Sequence, residues 1–285
     1  MAGASAGAGE ADASTPTVLL PTAAAGLPSD AGPARAGDPP PTGRIEGVFW
    51  ALSAPSTDAL RRACRSAGGT VQGALTVADW ITRAAVTRTP LPVLAAATVP
   101  VHCRPHGVPP LAADACVCGS AAATVGGTLA ADTPVGAAAR AVTTAVRAAV
   151  PRQPADWLWR LLHAPASLPA ATLMDSSVGV SPVAPAYGGG ALVVGDVLFF
   201  GSAARTPAAA VGTMVHAHTF DGRLHVACNA PVPGVAAAWA TASAAALHAA
   251  VAAVADGSVG TLGELWAVAA AAAEAAGGPA KPVAC

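Results

Sequence analysis

The chain has 285 residues, a formal net charge of −1 and only 11% charged residues. No basic surplus points to nucleic acid, and no charged run points to a membrane surface. Mean hydropathy is positive because alanine dominates it; alanine supports helices but buries little area, so a core must come from the scattered Val, Leu, Trp and Phe.

Residues 1–43 are rich in Ala, Gly, Pro, Ser and Asp and read as a disordered leader. The first basic residue is Arg35, so neither a secretory signal nor a transit peptide is written there, and a cytoplasmic location is expected. Order is expected from Arg44, where RIEGVFWAL brings strand-type residues. Ala59, Leu60, Ala63 and Cys64 recur at helical spacing and stop at Gly68-Gly69. Thr70 caps a second helix with Leu75, Ala78, Ile81 and Ala85 on one face. Leu91–Cys103 reads as a buried strand, Ala121–Leu129 as a weaker one. Thr133–Val150 reads as a helix starting near Pro134, and Trp157–His163 as helical after Pro154.

From about Leu168 the pattern changes. LMDSSVGVSPV, GGALVVGDVLFFGS, AVGTMVHAHTF and RLHVACNA read as strands separated by Gly, Pro or Asp-Gly. Two helices follow. The first spans about Val235–Ala255, with Trp239, Leu247, Val251 and Val254 on one side; the second opens on a capping box at Thr261 and Glu264. Ala236–Ala255 is the nearest approach to a membrane span, but it is mostly alanine and holds Thr241, Ser243 and His248, so no span is expected. The whole reads as an α/β (α+β) domain over 44–277, a mixed sheet flanked by helices, with a tail at 278–285.

The six cysteines are expected to be reduced thiols. Cys103, His106, Cys116 and Cys118, with His102, form a loose set of soft ligands whose spacing fits no zinc motif. A sharper signal is Asp221-Gly222 between two alternating runs, which predicts a two-residue hairpin. That turn pairs Phe220 with Arg223, His218 with His225 and His216 with Ala227. His216, His218 and His225 then share one face. Three such histidines can hold zinc with an open position, or they are the half-buried face of a hairpin. No carboxylate near in sequence is free to support a metal, because Asp221 is committed to the turn.

Several segments together resemble the CoA-dependent acyltransferases of the chloramphenicol acetyltransferase and condensation-domain type. The closest branch looks like alcohol acetyltransferases and mycobacterial polyketide-associated acyltransferases. Leu60–Ala78 resembles the helix pair that opens that family's second lobe. Val99–Pro105 is similar to its strand ending in Arg-Pro. Ser176–Val183 resembles its S-N-x-G strand, and Thr219–Pro231 its late strand pair around F-x-G-R-L. The resemblance covers about 44–277 and implies a C-terminal lobe. It implies acyl transfer from a CoA or carrier thioester to a small alcohol or amine, with acyl-CoA as co-substrate and no tightly bound cofactor.

HAHTFDG at His216–Gly222 imitates the family's H-H-x-x-x-D-G base motif. Aligned to it, the base position is Ala217, while His218 falls one residue too far on, which on a strand means the opposite face. No H-H-x-x-x-D-G occurs elsewhere in these residues. The resemblance therefore implies no catalytic residue here. It implies Ser176, Ser177 and Gly179 as channel-wall candidates, Ser177 standing where Asn is usual. Arg104 is implied as a structural arginine whose partner would be the missing motif's Asp. The expected partner is a first lobe, encoded upstream of Met1 or on another chain, or a second copy of this one. The competing expectation is a lobe that binds or scaffolds without chemistry.

Overall fold

The computed structural model describes residues 44–102, 120–149, 173–199, 213–232 and 237–278. The leader, residues 279–285, the predicted helix at Trp157–His163, and Arg104, Cys103, His106, Cys116 and Cys118 lie outside these.

Eight strands and five α-helices are present among the described residues: β1 (Arg44–Ala51), α1 (Ala54–Ser66), α2 (Val71–Val86), β2 (Val93–His102), β3 (Ser120–Leu129), α3 (Val135–Ala149), β4 (Leu173–Val180), β5 (Ala186–Tyr187), β6 (Leu192–Val193), β7 (Thr213–Phe220), β8 (Arg223–Val232), α4 (Ala237–Asp256) and α5 (Leu262–Ala275). The helix starts follow local chemistry. Ser53 accepts from the Ser56 N–H at 3.2 Å and Thr70 from the Gly73 N–H at 3.1 Å. Thr261 and Glu264 form the expected capping box, with Glu264 N–H to Thr261 at 3.3 Å and Thr261 N–H to Glu264 at 3.0 Å.

Six strands form one sheet in the order β1-β8-β7-β4-β2-β3. β4 runs parallel to both its neighbours, β7 and β2, and the other pairs are antiparallel. The sheet is therefore mixed, as expected. Alternating side chains put Ala97, Val99, Val125, Val215, Ala217, Leu224, Val226 and Cys228 in the core under the helices. α2 is the central helix and touches α3, α4, α5, β2 and β4. Leu75, Ala78, Ile81 and Ala85 are buried as the periodicity predicted, but nearly all of its other positions are buried too.

Alanine builds this core through close approach. A Cβ on Gly73 would land on the Ala139 carbonyl oxygen and 2.5 Å from Thr143 Oγ1, so α2 and α3 cross nearly backbone to backbone. Thr143 Oγ1 accepts the Thr70 N–H at 3.1 Å across the same crossing. α4 is long and apolar enough, by length and composition, to cross a membrane. In this fold its Ala242, Ala246, Leu247, Ala250 and Val251 are core residues.

One predicted strand is corrected. Within GGALVVGDVLFFGS, the described residues 189–199 do not join the six-stranded sheet. Gly188, Gly189 and Gly190 all take positive φ in a short 3-10 turn, and only Leu192–Val193 pairs, with Ala186–Tyr187. Leu192 and Val193 are 60% and 69% exposed, so the run's apolar residues have no sheet face to bury. Val194–Phe199 continues as an irregular strap.

Beneath the sheet sits a buried polar cluster. Arg83 Nε donates to Asp79 Oδ2 at 2.9 Å, one turn apart on α2, and its guanidinium lies 5.8 Å from the Trp239 ring centre. Asp175 on β4 is buried close to this pair and to Thr76. Burial and the Asp79 charge hold the Asp175 carboxyl well above the usual carboxylate range. Nearby, burial pushes the Cys228 thiol up to about 12, and burial takes Cys64 to about 11. Both are free thiols without thiolate reactivity at neutral pH.

Candidate functional site

The β7–β8 hairpin has the predicted register: Phe220 faces Arg223, His218 faces His225 and His216 faces Ala227. Asp221 and Gly222 take φ of 47° and 72°, the left-handed pair that a tight two-residue turn demands. Val215 and Ala217 turn to the helices, so His216, His218 and His225 occupy the opposite face. All three are buried, because the strap crosses over them.

The ring geometry does not suit a metal. The His218 and His225 rings are stacked, 5.1 Å apart and inclined by 18°. Phe199 of the strap sets its ring edge-on to His216 at 5.3 Å and to His218 at 6.4 Å. Among the described residues no group of three His, Cys, Asp or Glu is placed to hold a metal ion. The shared face of His216, His218 and His225 follows from the hairpin register, and on it the His218 and His225 rings lie stacked.

An acidic neighbour exists that sequence reasoning missed. His225 Nδ1 donates to Asp196 Oδ1 at 3.0 Å. Asp196 lies in the strap, about thirty residues before its partner, inside the run that reads as a strand. The Gly195-Asp196 dipeptide is the one signal that marked it as a turn. Burial lowers the pKa of His225, opposed by Asp196 and assisted by His218 and Arg223. Burial also lowers that of His216. Both rings are neutral at pH 7. A pocket of about 190 Å³ opens beside His218 and His225.

The channel-wall candidates lie on the neighbouring strand. β4 places Ser176 opposite His216 and Ser177 opposite Ala217. Ser176 therefore belongs to the histidine face, and Ser177 to the helix side. Gly179 has φ of 76° and sits in the irregularity between Ser177 and Val180. A β-bulge of this kind needs glycine and turns the strand end outward; Val178 and Val180 are exposed there. His102 ends β2 and is exposed.

No family model matches the sequence, and no curated protein matches it. Solved structures do match. Polyketide synthase associated protein 5 from Mycobacterium tuberculosis superposes with a TM-score of 0.55 at 15% identity, over 82% of this chain and 57% of that one. The EpoB nonribosomal peptide synthetase cyclization-docking bidomain from Sorangium cellulosum gives 0.57 at 14% identity, over 83% of this chain and 46% of that one. The X-domain from teicoplanin biosynthesis gives 0.53 at 16% identity, over 75% and 47%. The chain spans about half the length of these proteins. It shares the fold of these proteins.

Proposed function

We propose that this chain serves as the second lobe of an acyl-transfer protein. In this reading an acyl group passes from a CoA or carrier thioester to a small alcohol or amine, and the base comes from a first lobe carrying H-H-x-x-x-D-G. One observation carries the reading. The fold accounts for 82% of this chain but only 57% of polyketide synthase associated protein 5, and the chain contains no H-H-x-x-x-D-G. A general base must come within hydrogen-bond reach of the proton it takes, so a lobe without one supplies channel wall and oxyanion contacts only.

Ser176 suits that wall role, because it shares the open sheet face with the histidines. Acyl-CoA is a co-substrate in this reading, with no tightly held cofactor. The partner is the first lobe or, failing that, a second copy of this chain, in the cytoplasm. Release of free CoA from acyl-CoA in the presence of an alcohol tests the reading. Turnover is expected only when a first lobe with the base motif is added. Turnover by this chain alone that persists after all seven histidines are replaced would overturn it.

A non-catalytic scaffold is the second reading. It is favoured by Ser177, which stands at the position where the family carries Asn yet faces the helices. Stable protein that binds a first lobe without restoring thioester turnover would support it.

A further inference from the structure

The pocket over the histidine face is walled by Phe49, Asp196, Leu198, Phe199, His218 and His225. Its volume of about 190 Å³ is slightly larger than a cavity of ~150 Å³ that holds benzene. It admits one six-membered ring with a small substituent.

Its polar inventory is unusual. His225 gives its Nδ1 proton to Asp196, which leaves Nε2 as the acceptor nitrogen of a neutral ring. His218 is only 3% exposed, yet neither of its ring nitrogens has a hydrogen-bond partner among the described residues. A buried polar side chain without a partner is rare and calls for one. The formal charges at the rim, Asp196 and Arg223, are of opposite sign, so the site has no net attraction for an ion. Its remaining walls are aromatic and aliphatic, and ring edges pack well on such faces.

We propose that this pocket binds a small neutral aromatic alcohol or phenol, its hydroxyl against His218 and its ring against Leu198 and Phe199. The hydroxyl exchanges a hydrogen bond with a ring nitrogen of His218. The proposal does not depend on the acyl-transfer reading, since absence of thioester turnover leaves the pocket unchanged.

Full-length protein with ¹³C-labelled histidine tests it by titration with phenol, toluene and benzoate. Phenol is expected to shift the His218 and His225 ring signals saturably, and toluene to bind at least tenfold more weakly. His218→Phe keeps the ring stack and should reduce phenol affinity to that of toluene. Leu198→Trp, at an exposed strap position, should fill the pocket and abolish binding of both without touching the core. Equal affinity for toluene and phenol would overturn the proposal. So would tighter binding of benzoate, the absence of any saturable shift, or unchanged phenol affinity in either variant.

Discussion

Thr57 provides the most direct test of how α1 is held to the sheet. Leu224 is the second residue of β8 after the turn, and its N–H points toward the β1 side. β1 has already left the sheet there: its last pair is Ala51 with His225, followed by one bond from Leu52 N–H to the Leu224 carbonyl at 2.9 Å. The Leu224 N–H therefore has no strand partner, and Thr57 Oγ1 accepts it at 2.9 Å from the first turn of α1. Thr57 is 1% exposed, so water cannot take over. Thr57→Val keeps shape and volume and removes the acceptor. Leaving a buried N–H unpaired costs about 1–3 kcal/mol. Thr57→Ser keeps the acceptor and loses one methyl, worth about 0.8 kcal/mol. In urea, with a slope of roughly 1–3 kcal/mol/M, the valine variant should unfold on the order of 1 M earlier than wild type, at unchanged slope. The serine variant should fall between. A Thr57→Val variant as stable as wild type, or more stable than Thr57→Ser, would mean that the Leu224 N–H does not depend on Thr57.

Three further outcomes follow from the same structure. Gly73→Ala should force α2 and α3 apart at Ala139 and Thr143 and cost about 1–3 kcal/mol, read by urea unfolding; an unchanged midpoint would mean the crossing is looser than it looks. Asp175 keeps its proton in the folded state while the unfolded chain releases it near the ordinary value of 3.8. The folded state then binds more protons, so stability falls as pH rises from there through the raised folded value; Asp175→Asn should flatten that fall, compared at pH 5 and pH 8. His216 has the opposite sign: burial lowers its pKa from 6.5, so its contribution is full above 6.5 and is lost as pH drops through the lowered folded value. His216→Leu should remove that share of the acid sensitivity, and an identical pH profile would count against a buried neutral ring.

The hairpin and the helix caps were legible because each is fixed by a few adjacent residues. Asp221-Gly222 admits one turn, and that turn fixes every pair in β7 and β8, so the three-histidine face followed directly. Thr70 and Thr261 were legible as caps for the same reason. The strap was not. VVGDVLFF has the composition of a strand, but a strand also needs a neighbour, and nothing in those residues says that none is available. Asp79 and Asp175 were illegible together, because only the sheet brings α2 beside β4. Alanine hid the helix faces in a similar way: Leu247 and Val251 are buried as expected, but so are Ala242, Ala246 and Ala250, which carry no apolar signal of their own.

The pairing of Arg44 with Val232 sets a schedule for synthesis as well as a register. Of the described elements β1 leaves the ribosome first, and the strand it pairs with among them, β8, comes far later. At typical rates of about 5–20 residues per second, β1 waits roughly ten to forty seconds for that partner. During that interval it is an unpaired strand bearing Val48, Phe49 and Trp50. Over that interval β1 is open to chaperone capture, or to pairing with a neighbouring nascent copy.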